Sequence, residues 1–178
     1  MSKGYKDLID KCFEDLKKII LIKGGKIEVL YFNKIVKIDF ILKKFEGVDD
    51  EKEKVILLHY LRNFKDKKNN ELITFKSLPD GNFYFPSIYS RVYLPLIKKY
   101  GKNPERFIEK SLEIGGEKIS DFSIKFNVFP NVFFIFELIP EDEEFPADLR
   151  ILFNRVSSEI FEIEDLAIIG EIIVSKIT

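Results

Sequence analysis

An α+β fold is predicted, a single domain in which a mixed or antiparallel sheet packs against several helices. Three observations predict it. Phe122, Ile124, Phe126 and Val128 alternate with Ser123, Lys125 and Asn127, the period of a strand with one wet face. Val132 to Phe136 is apolar without a break, which predicts a strand buried on both faces and central in its sheet. Apolar residues at helical spacing then open and close the chain, through Tyr5, Leu8, Cys12, Leu16 and Ile19 and through Leu166, Ile169 and Ile173.

The first helix has Ser2 as its expected N-cap and carries Cys12 on its apolar stripe, where a thiol is buried and inert. Gly24-Gly25 ends it. Ile27 to Phe32 and Ile35 to Phe40 alternate around Asn33-Lys34, the length of a two-residue hairpin. Asp49 or Asp50 caps the next helix, with Glu53 placed for a capping box on Asp50. Val55 to Leu61 is apolar almost all round, so that helix belongs in the core. Lys65 to Asn70 reads as a solvated turn. Pro79-Asp80-Gly81 is a turn signal, and Ser87 caps a helix running to Tyr100, kinked at Pro95. Asn103-Pro104 starts another helix, whose inner face is Phe107, Ile108, Ser111 and Leu112, and Gly115-Gly116 ends it. Pro130-Asn131 turns the chain between strands. Leu149, Ile151 and Phe153 alternate in a further strand. Between Pro140 and Pro146 stand four consecutive carboxylates, which repel one another and require a loop.

Composition narrows the function. The chain has 178 residues, 46% hydrophobic and 33% charged, with 18 Phe and no Trp, enough for a packed, aromatic-rich core. Five of its 29 basic residues are arginines: Arg62, Arg91, Arg106, Arg150 and Arg155. With a net charge of −1, nothing global suggests the basic face that a duplex-binding protein carries. One cysteine excludes an internal disulfide, a zinc knuckle and an iron–sulfur cluster held by this chain alone. No apolar run reaches the roughly 20 residues that span a bilayer, and the charged start does not fit a signal peptide. A reducing, cytoplasmic setting is expected.

Four segments in order, LLHYL at 57–61, TFKSLPDGNFYFP at 74–86, RVYLPLIKKYG at 91–101 and DEEFPADLRILFN at 142–154, resemble an uncharacterised family of prokaryotic domains from anaerobic bacteria and archaea. The resemblance runs from about residue 55 to about residue 170. Some relatives carry the domain beside a cysteine-rich iron–sulfur module of the corrinoid-protein type. The resemblance implies a place in anaerobic one-carbon or metallocofactor metabolism and brings no assigned activity. This chain lacks the module's cysteines, and its loop has Pro140-Glu141 where relatives are more aromatic and glycine-containing.

The candidate site residues are few. His59, the sole histidine, shares a helix face with Arg62 and Asn63 and is read as a base or metal ligand, or as a partly buried ring satisfied by a carbonyl or carboxylate. Asp142, Glu143 and Glu144 offer oxygen ligands to a divalent cation, without the ligand spacing of an EF-hand. Otherwise the loop pairs with Arg91 or Arg150. Arg91, near Tyr84 and Tyr89, has a planar fork for a carboxylate or phosphate. Two functions compete. One is a non-catalytic accessory module that binds a partner protein or a small anionic ligand. The other is a metal-assisted hydrolase or transferase using His59 and the acidic loop. An apolar patch at a sheet edge favours the first; a cleft joining His59 to the loop favours the second.

Overall fold

Helix α1 (Lys3–Leu21) buries Cys12, Phe13 and Leu16 on the stripe their spacing predicts. The structure is a computed structural model that describes residues 3–21 and 24–178; the expected cap Ser2 lies outside them.

Strands β1 (Lys26–Tyr31), β2 (Lys34–Asp39) and β3 (Lys44–Glu46) form an antiparallel sheet in the order β1-β2-β3. The hairpin turn is Phe32-Asn33, one residue earlier than expected. Both residues have positive φ, 46° and 58°, as a turn of this hand requires. Asn tolerates that region. Phe32 is held there because its ring is buried edge-on against Tyr31 and its N–H donates to the Val128 carbonyl at 3.0 Å. Strand β3 was not expected; at three residues it is too short to show an alternation.

Helix α2 (Glu51–Asn63) starts at Asp50, whose carboxylate accepts from the Lys52 and Glu53 amides. Ile56, Leu57 and Leu58 are fully buried, so α2 runs through the core. The next helical run starts six residues before the expected Ser87. Helix α3 (Gly81–Ile88) passes into a π turn (Tyr89–Tyr93) and then into α4 (Leu94–Tyr100). A Cβ on Gly81 would meet the Phe75 carbonyl oxygen at 2.0 Å, so only glycine allows the start. Pro95 falls in the first turn of α4. Its missing N–H and its ring fall beside the wider π turn, where the regular helical ladder is already interrupted. Helix α5 (Pro104–Glu113) is capped by Asn103. Phe107, Ile108 and Ser111 face inward, but Leu112, expected with them, lies at the edge of that stripe and is largely exposed.

The second sheet contains β4 (Leu72–Ile73), β5 (Glu117–Ser120), β6 (Ser123–Phe129), β7 (Val132–Ile139) and β8 (Asp148–Asn154). Every pairing is antiparallel, in the order β4-β8-β7-β6-β5, so the expected interior strand is central. It is not buried on both faces. Val132, Phe134, Phe136 and Leu138 point into the core, while Phe133, Ile135 and Glu137 are half-buried on the other face. An unbroken apolar run therefore concealed a one-sided strand. Helices α6 (Arg155–Ile160) and α7 (Ile163–Ile177) finish the chain. The molecule is α+β with two antiparallel sheets where one was predicted. Among the described residues no helix is long and apolar enough to cross a membrane.

Candidate functional site

Helix α7 is apolar except for a few acids, and those acids collect the ionisable groups of its neighbours. His59 on α2 meets Asp165, with Nδ1 3.0 and 2.9 Å from the two carboxylate oxygens. Both residues are more than nine-tenths buried. The hydrogen bond to Asp165, with a further contribution from Cys12, raises the ring's pKa from 6.5 to about 9 against the opposing effect of burial. At neutral pH the ring is an imidazolium. It serves as a buried cation, a poor state for accepting a proton. Its Nε2 is buried without a partner among the described residues.

About two turns apart on α7, Glu164 and Glu171 receive Arg91. The guanidinium reaches both Glu164 oxygens, at 3.0 and 3.2 Å, and comes within 2.7 Å of Glu171. The π turn presents it there. Gly170 allows the approach, since a Cβ at that position would lie 2.9 Å from a Val92 methyl. Lys52 of α2 closes the cluster on Glu171 at 2.5 Å. Nearby, Glu53 receives Lys176 at 2.5 Å and the Tyr31 hydroxyl at 3.4 Å. Burial, with Glu53 beside it, pushes the Tyr31 phenol well above its ordinary value. The fork of Arg91 is thus filled by α7 and not by the acidic loop. Arg150 also pairs elsewhere, across the sheet with Glu137 at 3.2 Å. Sequence reasoning missed Glu164, Asp165 and Glu171 as partners. Their signal was present: isolated acids in an otherwise apolar helix require buried cations.

The acidic loop is set apart from this cluster. Glu141 contacts Lys102 at 3.4 Å, and its amide donates to the Gly101 carbonyl. Asp142 turns back on its own loop, accepting from the amides of Glu144 and Phe145 at 2.8 and 2.7 Å. Glu143 and Glu144 are exposed. Among the described residues no hydrogen bond or ion pair joins the loop to His59, whose partner is Asp165. Among the described residues, no group of three or more His, Cys, Asp or Glu side chains is disposed to hold a metal ion. Tyr84 is half-exposed on α3, edge-on to the protruding Phe83 ring at 5.3 Å.

An apolar cleft of about 410 Å³ lies elsewhere, between α1, β1 and the end of α2. Leu16, Val29, Leu30, Tyr60, Leu61 and Phe64 form most of its wall. Tyr60 is fixed by stacking on Phe129 at 3.8 Å and by its hydroxyl, which donates to Asn131 at 3.0 Å. Burial raises that phenol to about 12, so it stays neutral. Phe64 and Leu30 remain 52% and 44% exposed and face the same cleft. The rim carries Asp15, Glu28 and Arg62. None of the sequence candidates lies in this cleft. Its residues come from α1, β1, the end of α2 and the turn at Pro130, and no periodicity joins them.

A family model described as Domain of unknown function (DUF3786) matches residues 18–176. No curated protein and no solved structure matches the chain.

Proposed function

The chain belongs to this family of unknown function, and from that membership we propose a binding module whose ligand or partner occupies the α1–β1–α2 cleft. The observation that carries the reading is the cleft itself, a 410 Å³ concavity with apolar walls and a sparse polar rim. The ionisable residues add support from the other side. His59, Arg91 and Asp142 all have internal partners, so none is left as a free acid, base or anion receptor. The setting in anaerobic one-carbon or metallocofactor metabolism is a proposal that rests on the sequence resemblance.

Binding of an apolar reporter dye, anilinonaphthalene sulfonate, tests the site. The folded parent is expected to enhance its fluorescence, and Leu61→Ser and Phe64→Ser are expected to remove most of the enhancement while leaving the melting transition cooperative. Equal enhancement in parent and variants would place the apolar site elsewhere and reject the reading.

A further inference from the structure

The cleft has a wall of backbone as well as side chains. Four consecutive residues, Ile27 to Leu30, line it. Side chains of a strand alternate between faces, so consecutive lining residues mean that the strand's edge faces the cleft. β1 is the outer strand of its sheet and, among the described residues, pairs only with β2. In an antiparallel hairpin, hydrogen-bonded and non-hydrogen-bonded pairs alternate. The Tyr31–Lys34 pair closes the two-residue turn and is hydrogen-bonded, as are Val29–Val36 and Ile27–Ile38. Glu28 and Leu30 belong to the other class. Their N–H and C=O groups point away from β2, into the cleft. Among the described residues no backbone group pairs with them.

Resting on the cleft as the binding site, we propose that its occupant is an extended peptide segment of a partner protein, added to β1 as a fourth strand. Two main-chain donors and two acceptors on Glu28 and Leu30 give the register, and the apolar wall takes alternate side chains. Pro130 and the β1–β6 junction, where the Phe32 amide meets Val128, stop the added strand at one end. Charge sets the flanking residues. The rim has two carboxylates to one guanidinium; Glu28 has Lys37 at 3.5 Å on the neighbouring strand, and Asp15 has no cation partner among the described residues. A segment of apolar residues interleaved with lysine or arginine complements it.

The test uses a blocked, fluorescently labelled hexapeptide of alternating valine and lysine against the full chain, read by anisotropy and by amide NMR. Strand addition draws on main-chain bonds that every peptide has, so saturable binding at or below millimolar peptide is expected. The Glu28 and Leu30 amides should gain protection from exchange. The same peptide N-methylated on the edge-facing amides should bind at least about tenfold more weakly, a loss of roughly 1.4 kcal/mol. Phe64→Ser should weaken both peptides. Equal binding of the methylated peptide, still weakened by Phe64→Ser, overturns strand addition and leaves the cleft as a side-chain pocket. Absence of binding by either peptide at millimolar concentration also overturns it, and the dye experiment then decides the cleft independently. Protection of the Glu28 and Leu30 amides that grows with protein concentration, without peptide, overturns it in favour of a second copy of this chain.

Discussion

The five-stranded sheet guards both of its edges, and the three-stranded sheet guards only one. At one edge of the larger sheet stands β4, two residues long. At the other, β5 is exposed at every position, carries Glu117 and Lys118, and shifts register between Lys118 and Ser120. Shortness, charge and irregularity are how proteins discourage stray strand pairing. β3 is as short and carries Lys44 and Glu46. β1 carries Lys26 and Glu28 but has neither of the other defences: its six residues run in unbroken register and face apolar walls. The difference teaches where to look for function here. The larger sheet is a finished core, and the smaller one keeps an opening.

The largest expected effect tests the finished half. Phe134 is fully buried between Phe153 and the β6 face, so Phe134→Ala should cost about 3–5 kcal/mol in denaturant unfolding. A loss under about 1 kcal/mol would erase the contrast between the sheets. Next comes the buried pair on α7. Asp165→Asn leaves the His59 site without its anion and should cost about 3 kcal/mol at neutral pH. The pH dependence has a definite sign. His59 is raised from 6.5 to about 9, so its contribution is full below about 6.5 and disappears as pH rises through about 9. Urea midpoints measured across that window should fall in the parent and stay flatter in the Asn variant. A parent curve that rises would reject the imidazolium assignment. Arg91→Ala comes third, at about 1 kcal/mol, because the side chain is a third exposed and water screens its pairs. The smallest effect lies on the outer face of the larger sheet. Arg150→Ala removes an exposed cross-strand pair with Glu137 and should change stability by less than about 0.5 kcal/mol. A larger loss would mean that this face is covered in solution.

Much of the architecture was legible because it was local. The stripe of α1, the Asp50 cap, the Asn103-Pro104 start and the Pro130-Asn131 turn each declare themselves within a few residues. Cys12 was placed correctly as buried for the same reason. Errors came where a local rule met a distant contact. Phe32 at positive φ is unreadable without Val128 to receive its amide. Pro86 inside a helix and Pro95 after a π turn defeat a rule written for isolated helices. The site was the least legible part. His59 was recognised as worth following, and one of its two readings, a ring satisfied by a carbonyl or carboxylate, includes the Asp165 contact it makes. The Arg91 partners and the whole cleft depend on residues brought together from separate elements, which spacing alone does not encode.

The π turn at Tyr89–Tyr93 bears on the length of the chain as well as on its path. It houses one residue more than an α-helical turn would. Losing one residue there would therefore leave an ordinary α-helical turn through nearly the same rotation, and Leu94 onward would keep its face toward the core. Losing Pro95 from the regular stretch just beyond would instead rotate Leu96 and Tyr100, buried now, out of the core by about 100°, one residue's share of a turn. The same change of residue number is absorbed on one side of Leu94 and felt by the core on the other.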